Sequence, residues 1–342
     1  MFGQTLAIAR NTFAESIRQP IVLVMLVIAT LLIVLSNPFA AFTMQDDQRM
    51  FIDIGLSTVF MSSILLAAFI ATNVVNREIE NRTVLTVVSK PVSRVIFIVG
   101  KYLGVSAALL LSIVFLAFVF MLVERHGPLQ TTAAPYHYPV LVFGIGAVAI
   151  GLAVGTWSNY FYDKAFTSST ILAATPLVGL AYLHSLFFSD DWTPVSMAES
   201  FEANIWLAIG AMTVAVLILT AIAVAASTRL GQVLTVAVTI GVFLLGMLSD
   251  WLFGRQIAAL SETFQRLQIT GFQFDGQHLL YLFCKVMYAV VPNFQVFWLA
   301  DALTQRNDIP LSYIASIVPY GALYVVVALA LAVALFQRRE VG

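Results

Sequence analysis

Charge and cysteine are both scarce in this 342-residue chain, and each shortage excludes a class of protein. Only 10% of the residues are charged, against about 25% in an ordinary soluble domain. A water-soluble enzyme, a disordered chain and a nucleic-acid binder are therefore excluded, and the net charge of −1 supplies no basic field for nucleic acid. The single cysteine, Cys284, excludes an internal disulfide and a cysteine zinc cluster, and the four histidines show no metal-ligand spacing.

Apolar residues make up 60% of the chain and gather into long runs. A membrane-spanning helix needs about 20 largely apolar residues. The sequence therefore predicts an all-α polytopic membrane protein with eight transmembrane helices and membrane lipid around them. The predicted spans are 20–36, 53–75, 95–123, 139–157, 165–187, 204–226, 231–253 and 311–336.

The first 19 residues have the spacing of an amphipathic helix. Phe2, Leu6, Ala9, Phe13 and Ile17 recur every three or four residues, which places them on one helical face. We expect 1–19 to lie in the membrane interface.

Basic residues set the expected orientation of the spans. With the N-terminus in the cytoplasm, 11 of the 17 Lys and Arg residues fall on the cytoplasmic side and 6 on the outer side. The positive-inside rule therefore predicts that both termini are cytoplasmic. It also divides the chain into spans one to seven (20–253), an outer segment (254–310) and the last span with its tail (311–342).

The apolar stretch 281–300 is an ambiguous candidate for a ninth span. It contains Lys285 and is interrupted by Pro292 and Asn293. A cation at mid-membrane costs about 2.5–3.5 kcal/mol on insertion scales. We therefore expect helices over 279–291 and 293–304 that form a re-entrant or outer hairpin, with a ninth span as the alternative.

The segment 76–94 is the longest charged connection predicted on the cytoplasmic side. Ile79, Thr83 and Val87 give it an apolar edge, as in a short helix that docks into a groove of a soluble partner. A plain solvated loop is the alternative. Ser93 is placed to cap the third span, and Arg94 and Lys101 can reach the phosphate level from its start.

This segment resembles the connection between the second and third spans of ABC-type-2 exporter permeases. The resemblance lies in an acidic pair, a threonine, a Lys-Pro-x-Ser-Arg turn and a Gly-Lys pair that enters the next span. These are Glu78, Glu80, Thr83, Lys90-Pro91-Val92-Ser93-Arg94 and Gly100-Lys101. The chain departs from the family in Arg82, where many members have glycine, and in having eight predicted spans where many have six.

The resemblance implies a permease subunit of the cell (inner or plasma) membrane of a bacterium. Its coupling helix would contact a separate ABC ATPase subunit, and a second permease chain would complete the pore. The residues implied to contact the ATPase are Glu78, Glu80, Arg82, Thr83, Lys90, Pro91 and Arg94. No P-loop is present, so ATP and Mg would be bound by the partner subunit, and we expect neither catalysis nor a cofactor in this chain.

Small residues recur in the fourth span at Ala147, Gly151 and Gly155. Such a series allows close approach of another helix, either within the chain or across a dimer. Two other functions stay open at this point. One is a secondary transporter or channel, and the other is a membrane mechanotransducer that moves no solute and acts on a protein partner at its outer side.

Overall fold

A computed structural model describes residues 2–40, 47–80, 93–128, 136–267, 271 and 274–337, with the side chains of 75–80 excepted. The described part of the chain is helical, and its only strand-like pairing is an isolated bridge between Phe188 and Pro194. Seven of its helices are long and apolar enough to cross a membrane. The predicted all-α polytopic membrane fold is thus confirmed. The main helices are α1 Phe2–Ile17, α2 Pro20–Ala40, α3 Asp47–Glu80, α4 Arg94–His126, α5 Tyr138–Tyr162, α6 Phe166–Ser185, α7 Ala203–Ser227, α8 Gln232–Met247, α9 Arg255–Arg266, α10 Gly276–Val290 and α11 Leu311–Gln337.

Three helices form the centre of the bundle. In α3, α4 and α7, 67% of the most apolar window is buried within the protein, against 33% in α2 and 22% in α5 and α11. The less buried helices expose leucine, isoleucine and valine side chains, such as Leu31, Ile145 and Leu323. Because apolar side chains on an outer surface need an apolar solvent, lipid is the medium that suits these exposed helix surfaces.

Hydrogen bonds between helix ends show which ends lie together. At one end of the bundle, Asn73 Nδ2 donates to Gln19 Oε1 (3.2 Å), and Arg229 Nε donates to the carbonyl of Leu335 (2.9 Å). We call this end, which carries α1, the α1 face. At the other end, the opposite face, the backbone N–H of Ile309 donates to Asn204 Oδ1 (3.2 Å).

This arrangement requires the part of the chain that begins with α8 to cross the bundle. The end of α7 and the end of α11 both lie at the α1 face, whereas α11 begins at the opposite face. The chain between the end of α7 and the start of α11 must therefore cross the bundle. Together with α2 to α7 and α11, this makes eight crossings. With 16 residues, α8 is only about 24 Å long at 1.5 Å per residue. A π-helical turn, Asp250–Gly254, follows it, and the helix axis bends by 49° into α9.

The segment after α10 folds back into the bundle. Helix α10 ends at Val290, close to the predicted bend, but the predicted second helix over 293–304 is wrong as a continuous helix. It is replaced by a 3₁₀ turn, Gln295–Phe297, and a short helix, Ala300–Thr304. The reason is packing, since Phe294 and Phe297 both turn inwards and are fully buried.

Tyrosines of α11 hydrogen-bond the backbone on both sides of the break after α10. Tyr324 Oη donates to the carbonyl of Ala289 (2.9 Å), and Tyr313 Oη donates to that of Val296 (2.6 Å). Tyr320 Oη accepts from the N–H of Asn293 (2.9 Å). Tyr324 lies thirteen residues into α11, about 20 Å along its axis from the opposite face. The turn at Pro292 therefore reaches roughly the middle of the bundle.

The topology predicts the accessibility of single cysteines introduced in a Cys284→Ala background. We expect Gln4→Cys and Gln337→Cys to react with a membrane-impermeant maleimide from the same side, and Gln305→Cys from the other side. All three side chains are exposed. With a ninth crossing, Gln305→Cys would instead react with the maleimide from the same side as Gln4→Cys. Gln337→Cys would then react from the other side.

Candidate functional site

The two flanks of the predicted coupling segment lie at the α1 face. Its central residues, including Arg82, Thr83, Lys90 and Pro91, fall outside the described residues. Glu78 and Glu80 belong to the last turns of α3, but their side chains also fall outside the description. The site is therefore built from its two flanks, which are the end of α3 and the start of α4.

Ser93 and Arg94 define the start of α4. As the sequence predicts, Ser93 caps the helix, and its Oγ accepts a hydrogen bond from the N–H of Ile96 (3.3 Å). The Arg94 guanidinium donates to the carbonyls of Phe336 and Gln337 and lies 5.9 Å from the ring centroid of Phe336. A cation is favourable at the C-terminal end of a helix, where carbonyls lack partners. Arg94 thus fastens the end of α11 to the start of α4.

Two glycines bring α1 into direct contact with α4. A Cβ atom at Gly100 would lie 2.8 Å from the side chain of Ile8, and one at Gly104 would lie 2.5 Å from the backbone of Ala9 and the side chain of Thr12. Any larger residue at either position would push the helices apart. The amphipathic N-terminal helix therefore packs on α4 through small residues, while Phe2 and Leu6 stay exposed.

Lys101 lies beneath this contact. Its side chain is 1% exposed, its Nζ is 4.0 Å from Glu15 Oε2, and the ammonium is 5.7 Å from the ring centroid of Phe97. The prediction that Lys101 reaches the phosphate level is wrong, because α1 covers it. A buried ammonium needs a compensating charge, and Glu15 of α1 supplies one.

A polar groove of about 520 Å³ lies beside this pair. Asn11 and Glu15 from α1 line it together with Arg18, Gln19 and Asn73. Asn73 is seven residues before the last residue of α3, so the groove adjoins the flank from which the coupling segment departs. No group of three metal-ligating side chains occurs among the described residues. The groove is thus suited to polar contacts with protein or solvent.

The predicted small-residue series lies between two helices of the same chain. Ala147, Gly151 and Gly155 are the small residues buried along α5. A Cβ at Gly151 would lie 2.7 Å from the Cβ of Ala174 in α6, and one at Gly155 would overlap Thr170. This series therefore holds the α5–α6 pair together.

The predicted hairpin residues Pro292 and Asn293 meet the end of α8. A Cβ at Gly246 would lie 2.5 Å from the Pro292 carbonyl oxygen, and the Phe294 N–H donates to the Gly246 carbonyl (3.2 Å). Asn293 Oδ1 accepts from the N–H of Gln295 (2.9 Å). Both residues thus shape the inward turn.

Sequence reasoning missed the α1–α4 contact, although a signal for it was present. Gly100 and Gly104 have the four-residue spacing that allows close approach of helices. The position of Glu15 opposite Lys101 had no comparable signal, since it depends on how α1 folds back.

No family model matches this chain, and no curated protein matches it.

We expect Gly151→Ala to destabilise the protein and Gly146→Ala to leave it unchanged or slightly more stable. The Cβ at position 151 meets Ala174, whereas nothing lies within 4 Å of one at position 146. Overpacking costs about 1–3 kcal/mol, while replacing glycine within a helix gains up to about 1 kcal/mol. Thermal unfolding of the detergent-purified variants measures both changes. Equal effects at the two positions would contradict the packing of α5 on α6.

A double-mutant cycle tests the buried pair of Lys101 and Glu15. Removing one partner of a buried ion pair costs about 3–5 kcal/mol, an upper limit here because Glu15 is 30% exposed. We expect Glu15→Gln to be more destabilising than the double variant Glu15→Gln/Lys101→Met. In the exposed pair of Glu262 and Arg266, Glu262→Gln should change stability by less than about 1 kcal/mol. Additive effects at Lys101 and Glu15 would show that the two charges are not coupled.

Proposed function

We propose that this chain is the membrane-spanning permease subunit of an ATP-driven ABC exporter. A separate ABC ATPase subunit binds ATP and Mg, and its motion reaches the spans through the coupling segment 76–94. In this proposal the α1 face is cytoplasmic, both termini lie in the cytoplasm, and the protein belongs to the cell membrane of a bacterium.

The observation that carries the proposal is the way α4 is held where the coupling segment joins it. Arg94 binds the end of α11, and Gly100, Lys101 and Gly104 hold α1. A push on the segment before Ser93 therefore acts on three helices together. Coupling to an ATPase needs such a connection, because a discrete rearrangement of packed elements transmits motion better than a loose loop.

The exposed apolar surfaces of α2, α5 and α11 leave room for a second permease chain. Helices α2, α5 and α11 each bury only a third or less of their most apolar window. In the proposal, one of these surfaces meets a second copy or a related chain, and lipid covers the others.

Charge reversal in the coupling segment tests the proposal. We expect an ABC ATPase to be encoded beside this gene, and Glu78→Lys/Glu80→Lys to weaken co-purification with that ATPase at least about tenfold, which corresponds to 1.4 kcal/mol. The matched control is Glu262→Lys, an exposed charge reversal in α9 on the far side of the bundle. Both variants should retain the thermal stability of the unmodified protein within a few degrees.

Unchanged ATPase binding and unchanged coupled hydrolysis in the Glu78/Glu80 variant would remove the coupling assignment. Full transport activity of the purified chain in liposomes without any nucleotidase would remove the exporter proposal itself.

A mechanotransducer that acts on an outer partner is the second candidate function. The observation that favours it is the structured segment at the opposite face, where α9 and α10 pack on each other and on the turn at Asp250. Stimulation of the ATPase that depends on a protein bound to this segment, with no solute moved, would support this second function.

A further inference from the structure

A small polar pocket lies at the opposite face, far from the coupling segment. Its volume is about 350 Å³, and its lining includes Arg125 at the end of α4, His137 just before α5, and Asp190 and Glu199 from the connection between α6 and α7. The proposed exporter function does not use it.

Hydrogen bonds hold the walls of this pocket together. The connection forms a tight hairpin in which the N–H of Val195 donates to the Phe187 carbonyl (2.9 Å) and that of Ser189 to the Thr193 carbonyl (2.8 Å). Arg125 Nη2 donates to the carbonyl of Phe188 (3.1 Å), which joins α4 to the hairpin. The pocket is therefore a built feature of the fold.

Two residues that line the pocket each hold a buried N–H group that has no partner among the described residues. His137 is 6% exposed, and its Nδ1 accepts a hydrogen bond from the N–H of Val140 (3.4 Å). In the neutral ring the proton then lies on Nε2, which is buried and has no acceptor. Burial and the nearby Arg125 lower the pKa of His137, which favours this neutral form. The Nε of Arg125 is also buried without an acceptor.

The charges around the pocket decide what kind of group can satisfy these donors. Asp190 and Glu199 line it, and Glu124 lies close enough to Arg125 to interact with it electrostatically. Among the described residues of its lining, Arg125 is the one cation. A simple anion would satisfy the donors but be repelled by the carboxylates, whereas a simple cation would leave the donors unpaired. A zwitterion that carries an anionic oxygen and an ammonium satisfies both.

The position of the pocket identifies the source of the zwitterion. Arg125 and His137 lie at the ends of two spanning helices, and the aromatic side chains of Tyr136, Tyr138 and Trp192 are exposed beside them, as is typical of the headgroup level. An apolar groove of about 620 Å³ lies between α2, α4 and α5, and two of its lining residues are neighbours of pocket residues. Its lining includes His126, which follows Arg125 in sequence, and Val140, whose N–H bonds His137.

We propose that the pocket binds the headgroup of an ethanolamine phospholipid and that the groove holds one of its acyl chains. The phosphate accepts hydrogen bonds from His137 Nε2 and Arg125 Nε, and the ammonium faces Asp190 and Glu199. A primary ammonium donates hydrogen bonds to carboxylates, which a quaternary choline cannot do. The site should therefore discriminate between these two zwitterionic lipids.

Native mass spectrometry of the full chain tests this site with phosphatidylethanolamine, phosphatidylcholine and phosphatidylglycerol of identical acyl chains. We expect the ethanolamine lipid to be retained at least fivefold more than either of the others. His137→Asn keeps a side-chain acceptor for the helix cap but loses the ring N–H, so the preference should disappear. Glu199→Gln, at an exposed residue, tests the ammonium contact if the first variant does not fold. Glu262→Gln, outside the pocket, should leave the preference unchanged.

Four results would overturn the proposal. The first is equal retention of the three lipids, and the second is a preference for phosphatidylglycerol, which would indicate a simple anion site. The third is complete displacement of the lipid by an equal concentration of soluble phosphoethanolamine, which would indicate a site for a small solute. An unchanged preference in both His137→Asn and Glu199→Gln would place the lipid elsewhere.

Discussion

The need to satisfy every backbone polar group in an apolar surrounding governs this fold. Helices meet the need by themselves, and within the described residues the chain leaves helical geometry deep in the bundle at the turn after α10. There α11 supplies tyrosine hydroxyls to Ala289, Asn293 and Val296. An unpaired backbone group costs several kcal/mol in lipid, so this turn depends on α11. Arg94 donates to a carbonyl at the end of the same helix, and α11 therefore connects the buried turn with the start of α4.

Close packing at glycine has a different consequence at the α1 face. Because Gly100 and Gly104 carry no Cβ, α1 lies directly on α4 and covers Lys101. A buried ammonium is costly unless an acid approaches it, and Glu15 does so from α1. The glycines and the ion pair thus depend on each other. If α1 moved away, Lys101 would regain water and Glu15 would lose its partner.

Local signals predicted the helices of this chain well, and tertiary contacts account for what they missed. Composition and apolar runs predicted the spans, and Ser93 marked the start of α4, because these features depend on neighbours in sequence. The burial of Lys101 depends on α1 folding back, and the break after Pro292 depends on Phe294 and Phe297 entering the core. The pocket at Arg125 draws on two distant segments.

Helix α4 joins the two sites proposed for this protein. Its first turns hold Arg94 and Lys101, and its last turn holds Arg125. Arg125 lies about 45 Å from Arg94 along the helix at 1.5 Å per residue. Two-thirds of its most apolar window is buried, so neighbouring helices constrain it along its length. A helix confined in this way moves as one body. In the proposed exporter, a tilt imposed at the start of α4 would therefore also shift Arg125 relative to His137 and Asp190. A lipid bound as we propose would then oppose or favour the movement that the ATPase drives from the other face.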